Sequence, residues 1–336
     1  MSLRQIGEFG FIQRIRRGCI VRPQGIIRGI GDDAAAFRAD GRLVCLITTD
    51  MLVERVHFPR EAIGGRDLGH KSLAVNLSDI AAMGGTAREA FVAVAVPDDC
   101  DLPYLDELFE GMKALAGKHA VNILGGDTTR SAADLIITVT VYGVVPENEL
   151  LTRDAARPGD VIFSTGCLGD SRAGLHLILE HTPADTPAFA ALLEAHRRPS
   201  PHLAEGRFLA GRRGVHAAID VSDGLSSDIG HIAEESRVGV RLFADRIPLS
   251  ENLRAYCRRF GRSPLDYALA GGEDYTLLVT AAAEAAGGIA QEFEKIFGRK
   301  LEAIGAITDG RQIELVEPGG RTRPIAPTGW DHFKEC

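Results

Sequence analysis

The sequence predicts a mixed α/β (α+β) protein of two domains. Three observations carry this. Apolar runs of strand length recur along the chain, segments of helical periodicity lie between them, and 336 residues suit two domains of ordinary size. The strand-like runs are Leu43–Thr48, Ala90–Val96, Leu135–Val145, Val161–Ser164, Ala217–Val221 and Tyr275–Thr280. Among the helical segments, 67–83 is the clearest, with Leu68, Leu73, Leu77, Ile80 and Ala81 at i, i+3 and i+4 type spacings. Segments 105–119 and 171–180 read the same way, and Ala281–Gly288 reads as a helix and its end. A long strand stops at Pro146-Glu147-Asn148-Glu149, which places the boundary between residues 1–146 and 147–336. The second half then opens on a turn signal, Arg157-Pro158-Gly159-Asp160.

Composition excludes several classes. Apolar residues make up 45% and charged residues 25%, ordinary for a globular chain. A net charge of −8 argues against a nucleic-acid surface. No apolar stretch is long enough to cross a bilayer, so no membrane partner is expected. Residues 1–17 carry scattered charge and lack a signal-peptide core. None of the six cysteines forms a C-x-x-C pair, so they read as reduced thiols of a cytoplasmic protein.

Six segments set acids beside small residues: Gly29-Ile-Gly-Asp-Asp-Ala-Ala35, Thr48-Thr-Asp-Met51, Asn76-Leu-Ser-Asp-Ile80, Gly125-Gly-Asp-Thr-Thr129, Ile219-Asp-Val-Ser-Asp-Gly224 and Gly271-Gly-Glu-Asp-Tyr275. Several follow β-branched apolar runs, where strands are expected to end. Small neighbours let a charged ligand approach the backbone. Carboxylates converging on one place repel unless a cation joins them, and hard divalent cations take oxygen ligands. If the ligand is a nucleoside triphosphate, several Mg²⁺ ions between phosphates and carboxylates reverse an unfavourable contact. Asn76 and Asp79 share a helix face. Asp79 sits among Leu77, Ile80, Ala81 and Ala82, with no basic residue within one turn, so its carboxylate needs a partner from elsewhere. Because the acids occur in both halves, the site is expected between domains or between subunits. Single acids also have plainer readings. Asp32, Asp228 and Asp245 suit turns or caps, and so do the hydroxyls of Thr128 and Thr129.

Two motifs mislead. Gly29-x-Gly31-x-x-Ala34 matches a short dinucleotide fingerprint, with Asp50 where a ribose-binding acid would fall, but Asp32 and Asp33 occupy the turn that would have to hold a pyrophosphate. Gly64–Ser72 resembles a phosphate-binding loop with His70 inserted before Lys71, and it reads better as a helix start with Asp67 in the first turn.

Taken together the segments resemble the thiamine-phosphate kinase (thiamine-monophosphate kinase) family. That family belongs to the superfamily of aminoimidazole ribonucleotide synthetase, selenophosphate synthetase and the hydrogenase maturation factor that dehydrates a carbamoyl group. The matching stretches run in family order. They include Gly29–Ala34, Thr48–Val53 with His57-Phe58, Lys71–Gly84, Gly125–Thr129, Leu151–Arg153, Pro158–Asp160, Thr165-Gly166, Leu168-Gly169, His196–Pro201, Ile219–Leu225, Gly271–Tyr275, Gly329-Trp330 and His332-Phe333. The resemblance implies a two-domain superfamily fold, with N-terminal domains pairing in a homodimer into a shared β-barrel-like sheet and a C-terminal α/β domain. It implies ATP and thiamine monophosphate as substrates, several Mg²⁺ ions, and direct in-line transfer to give thiamine diphosphate, with no residue acting as acid or base. It implies Asp33, Thr48, Thr49, Asp50, Asp79, Asp127, Asp220 and Asp223 as metal ligands, and Gly126, Arg153 and Ser222 as ATP contacts. His57, Glu273 and Trp330 are implied as substrate contacts. Trp330, the only tryptophan, suits stacking on a flat ring, with a core aromatic as the plainer reading.

The chain departs from the family pattern in places. Arg55 stands where glycine is usual, Gly85 and Ala87 replace Ala and Pro, and Arg197 and His202 replace Leu and Arg. Other members of the superfamily are the main alternative. Cys19 lacks the glycine-rich context of selenophosphate synthetase, and the terminal Phe333-Lys-Glu-Cys336 lacks the Pro-Arg-Ile-Cys ending of the maturation factor. A calcium-binding structural module would cluster its acids in one loop, whereas these are spread from Asp33 to Asp274.

Overall fold

The computed structural model describes Gly10, residues 24–38 and residues 41–329. Two sheets organise the chain. The first takes strands β1 (Ile26–Arg28), β2 (Ala35–Arg38), β3 (Leu43–Val53), β4 (Thr86–Val96), β5 (Asn122–Arg130) and β6 (Ile136–Pro146), in the order β1-β2-β3-β6-β4-β5. Its pairs are antiparallel except β4–β5, which is parallel and is bridged by the helix Leu102–His119. The second sheet takes β7 (Val161–Ser164), β8 (Val215–Asp220), β9 (Gly239–Phe243), β10 (Leu277–Ala281), β11 (Glu302–Thr308), β12 (Ile313–Val316) and β13 (Thr322–Pro324). Their order is β13-β12-β9-β11-β7-β10-β8.

Helices α1 (Gly65–Ala82) and α2 (Leu102–His119) cover one face of the first sheet. Further along lie α3 (Asp170–Leu179), α4 (Pro187–Arg197) and α5 (Leu203–Ala210). They are followed by α6 (Leu225–Ser236), α7 (Glu251–Phe260), α8 (Pro264–Ala270) and α9 (Ala283–Phe297).

Helix α1 is the element on which the halves meet. It is buried almost all round, as a helix is when every side faces protein. It touches β3 and β6 of the first sheet, and α5 and β8 of the second half. One apolar cluster runs through both halves, from Leu68 and Leu77 on α1 to Leu209 on α5, Leu277 and Val279 on β10 and Phe293 on α9. A second cluster, with Ile219, Leu225, Ile229, Val240 and Ile304, fills the other side of the second sheet. The α1–α2 contact depends on glycine. A Cβ on Gly69 would lie 1.8 Å from the Leu108 carbonyl oxygen, and one on Gly111 would lie 1.9 Å from that of Arg66.

Several sequence expectations shift. Strand β3 does not stop at Thr48 but continues to Val53, so Thr48, Thr49 and Asp50 lie inside a strand. Asp127 likewise sits within β5, and so do Thr128 and Thr129, whose hydroxyls suited a turn or cap. There the parallel ladder to β4 outweighs the poor strand propensity of Gly125-Gly126-Asp127. Asp220 does close its strand. Helix α9 runs past Gly287-Gly288 to Phe297, because Ile289 and Phe293 continue its buried stripe. Gly64–Ser72 is a helix start, with Gly64 as the N-cap of α1. The Gly29–Ala34 turn leads into strand β2 and not into the helix that a dinucleotide site requires.

Replacing Gly69 with Ala should lower stability by roughly 1–3 kcal/mol in urea denaturation, because the methyl meets backbone that cannot rotate away. The gain in helix propensity, about 1 kcal/mol, opposes this and is the smaller effect. A variant as stable as the parent would show that α1 and α2 can separate at little cost.

Candidate active site

The acids of both halves converge at the C-terminal part of α1. Asp33 comes from the turn before β2, Asp79 from α1 and Asp220 from the end of β8. A carboxylate oxygen from each lies within 4.8 Å of the others. Thr48 and Asp50 project from the same face of β3. The Thr48 hydroxyl donates to Asp79 Oδ2, and the carboxyl groups of Asp50 and Asp79 are hydrogen-bonded. Ser78 Oγ donates to Asp220 Oδ2 at 2.6 Å.

The electrostatics are those of crowded anions. Burial, then neighbouring carboxylates, pushes Asp79 and Asp220 well above the usual range. Burial raises Asp50 to about 6, with the Asp79 hydrogen bond opposing and the Asp33 charge adding. Burial and then Asp33 raise Asp32 to about 7. Two carboxyl groups can share a hydrogen bond only if one is protonated, and bound cations would take the place of that proton. Arg153 supplies part of the balance. Its Nε donates to Asp33 Oδ2 at 3.2 Å, its Nη2 to Asp33 Oδ1, and its backbone N–H to Asp32 Oδ2 at 3.4 Å. Arg28 Nε lies 3.5 Å from Asp32, and its guanidinium also pairs with Asp154. An all-oxygen donor set with more negative than positive charge fits hard divalent cations.

A second group lies further towards the N-terminal end of α1. Lys71, fully buried, places Nζ 2.7 Å from Glu273 Oε1, and His196 Nδ1 lies 3.2 Å from Glu273 Oε2. Burial raises the Glu273 carboxyl, but Lys71 and His196 outweigh it and leave it below its ordinary value. The Glu273 loop is strained, with φ +63° at Glu273 and +51° at Tyr275. It is pinned on both sides. Glu273 N–H donates to Ser222 O at 2.8 Å and Tyr275 N–H to Val221 O at 2.9 Å. The Asp274 carboxyl accepts from the N–H groups of Gly169 at 2.6 Å and Ser171 at 3.2 Å, and burial carries it to about 8. His57 Nδ1 accepts from Val53 N–H at 2.9 Å, which leaves the ring proton on Nε2, and the ring lies near Glu273.

Known proteins can be set beside this geometry. The model of the AIR synthase related protein N-terminal domain matches residues 31–145, and that of the C-terminal domain matches 157–317. The thiamine-monophosphate kinase of Aquifex aeolicus (strain VF5) is 34% identical over 99% of this chain and 100% of its own. That of Escherichia coli (strain K12) is 35% identical over 97% of this chain and 98% of its own. A solved structure of AaThiL complexed with AMPPCP and TMP superposes with a TM-score of 0.87 at 33% identity, covering 99% of each chain. The chain belongs to the thiamine-monophosphate kinase family. A structure of the hydrogenase maturation protein HypE in complex with ATP, at 21% identity and a TM-score of 0.70 over 88% of each chain, shares the fold.

Among the residues that the family motifs single out, the structure gathers Asp33, Thr48, Asp50, Asp79 and Asp220, with Arg153 against Asp33. Asp223 and Ser222 follow in the loop after β8, and Asp223 groups with Asp228 and His231 within 4.8 Å. Asp228 has a local task, since its Oδ2 accepts from the N–H groups of Asp223 at 3.2 Å and Gly224 at 2.9 Å at the start of α6. Three residues are not brought to the cluster within one chain. Thr49 turns to the other face of the sheet, where Thr140 Oγ1 donates to its hydroxyl at 3.0 Å. Asp127 and Gly126 lie on β5, beyond β6 and β4 from β3. Register places Asp127 beside Ala93, Ala93 beside Thr138, and Thr138 beside Met51, a row on the face opposite Asp50. Gly126 also has a packing reason to be glycine, because a Cβ there would lie 1.7 Å from Val92 O. Trp330, Cys19 and Cys336 lie outside the described residues.

The departure at Arg55 has a clear local form. Arg55 adopts φ +66°, a conformation in which glycine is relaxed, and its guanidinium pairs with Asp134 at 2.6 Å, not with the acid cluster. Sequence reasoning missed Lys71, His196 and the Ser78–Asp220 contact. The sequence shows Lys71 only as the first residue of the Lys71–Gly84 motif, among the polar neighbours Arg66, Asp67, His70 and Ser72.

The raised Asp50 carboxyl predicts a pH-dependent stability. Its folded value of about 6 exceeds the ordinary aspartate value of 3.8, so folding favours the protonated form. That contribution is complete below the unfolded value and is lost as pH rises through 6. In metal-free buffer Asp50→Asn should therefore stabilise the protein by on the order of 2 kcal/mol at pH 8 and by little near pH 4. Urea denaturation at both pH values measures this, and an equal effect at both would refute the assignment.

Proposed function

We propose that this protein transfers the γ-phosphoryl group of ATP to the phosphate of thiamine monophosphate, forming thiamine diphosphate and ADP. The observation that carries the reading is the meeting of Asp33, Asp79 and Asp220, from both halves of the chain, within 4.8 Å. Donor and acceptor are both polyanions. Bound Mg²⁺ ions would neutralise the phosphates and stabilise charge on the moving group. Asp33, Thr48, Thr49, Asp50, Asp79, Asp127, Asp220 and Asp223 are proposed to hold them, and Asp33, Asp79 and Asp220 are best supported by position. Thr48 and Ser78 orient the carboxylates they donate to. Arg153, Ser222 and Gly126 are proposed as ATP contacts, and His57, Glu273 and Trp330 as contacts to thiamine phosphate. The acceptor oxygen is largely ionised near neutral pH, so no side chain is needed to remove a proton.

Incubation with ATP, Mg²⁺ and thiamine monophosphate should yield thiamine diphosphate, and excess chelator should stop it. Asp79→Asn should reduce kcat by about 100-fold or more with an unchanged circular dichroism spectrum, since it removes charge stabilisation and keeps shape. Full activity in chelator, or normal turnover in the variant, contradicts the metal-assisted reading.

The reading includes a homodimer and a division near residue 146. Leu43, Ile47, Met51 and Phe91 stand 37–55% exposed on the first sheet, on the face away from α1. A second copy packed there would cover them and would enclose Asp127 between chains. Light scattering at micromolar concentration should give twice the chain mass of 36.0 kDa, and a fully active monomer overturns this part.

A further inference from the structure

Among the described residues Lys71 is the largest fully buried charged side chain, and the proposed reaction leaves it without a task. It sits on α1 with a fully buried side chain, yet its ammonium meets groups from the other half of the chain. Nζ lies 2.7 Å from Glu273 Oε1 and 3.5 Å from His196 Nε2. An ammonium can only donate, so His196 Nε2 accepts and the ring proton sits on Nδ1. That Nδ1 faces Glu273 Oε2 at 3.2 Å and Ser171 Oγ at 3.0 Å. Burial, and then Lys71, pushes His196 down to about 3, so the ring is neutral and its tautomer is set by these partners. Glu273 Oε1 is thus paired with the Lys71 ammonium, and Oε2 borders the His196 Nδ1–H, which also meets Ser171 Oγ. The Glu273 side chain keeps 27% exposure, so it still faces an opening.

We propose that Lys71, with His196, is a positioning residue for the organic half of the substrate, pairing with Oε1 of Glu273 while the His196 ring borders Oε2, and so fixing where the remaining lone pairs point. The inference rests on the thiamine-monophosphate kinase reading and deepens it. Helix α1 also sets a distance. Lys71 and Asp79 lie about 12 Å apart along it at ~1.5 Å per residue. One rigid helix therefore holds the phosphate end of the site with Asp79 and the amine-bearing ring end with Lys71. A carboxylate locked in this way accepts hydrogen bonds from a ring amine in one orientation only, which selects substrate without taking part in phosphoryl transfer. Pairing with Lys71 also cancels most of the charge of Glu273, so it recognises by hydrogen-bond direction more than by attraction to a cation.

The test is a cycle of Lys71→Met, Glu273→Gln and the double variant in the full-length protein. Steady-state kinetics and calorimetric titration with thiamine monophosphate provide the readouts. Lys71→Met should raise both KM and Kd for thiamine monophosphate by about tenfold or more, and leave the KM for ATP within about twofold. The double variant should match Glu273→Gln, because Lys71 has nothing left to position. It removes both charges together and keeps the test open if Lys71→Met alone does not fold. His196→Leu should shift the KM for thiamine monophosphate in the same direction by less. Multiplying effects in the double variant, a loss confined to kcat, or a double variant that cannot fold each overturns the inference. If wild-type protein forms thiamine diphosphate while the cycle multiplies, the Lys71 inference falls alone. If wild-type protein forms none, the function on which it rests falls.

Discussion

Mutual repulsion among buried carboxylates is the constraint around which this chain is arranged. Asp33, Asp50, Asp79 and Asp220 come from a turn, a strand, a helix and a second strand, and they meet where water is scarce. Left alone they would push those elements apart. The structure answers with hydroxyl donors from Thr48 and Ser78, with the Arg153 guanidinium, and with protons retained on acids that would ordinarily ionise. Divalent cations would balance such an all-oxygen set of acids more completely. The site is therefore costly to the folded protein and useful to its reaction, a common trade at functional sites.

Helix α1 makes that arrangement affordable. Its apolar residues bind both halves into one continuous core, so the position of Asp79 relative to Asp220 is set by packing and not by the acids. Close approach at Gly69 and Gly111 locks α1 to α2. Along the same helix the polar residues are spaced by role. Lys71 reaches Glu273, Ser78 reaches Asp220, and Asp79 reaches Thr48. Asn76 lies between them, fully buried, with Nδ2 3.3 Å from Ser72 O. A helix this dry carries polar groups at high energetic cost unless each finds a partner.

The departure at Arg55 leaves that frame untouched. Arg55 takes a left-handed backbone where glycine would be easier, and pairs outward with Asp134. The strain at Glu273 and Tyr275 is different in kind, because four backbone N–H contacts around residues 273–275 hold the loop in place. Strain that is so firmly supported marks a carboxylate whose direction matters.

The sequence by itself determined the alternation of strands and helices, the helix start at Gly64 and the acid motifs with their family order. These are local properties, visible as periodicity, turn chemistry and spacing. It could not show that β3 runs through Asp50 or that Gly125–Thr129 is a strand, because those residues are extended by ladder partners far away in the chain. It treated Thr48, Thr49 and Asp50 alike, and only the alternation of side chains across a sheet separated Thr49 from the other two. It gave no hint that Asp127 stands apart from Asp50 within one chain, since strand order is a tertiary fact. Lys71 was legible only as a residue in a motif. Its meaning came from residues 196 and 273, brought beside it by the packing of one half of the chain against the other.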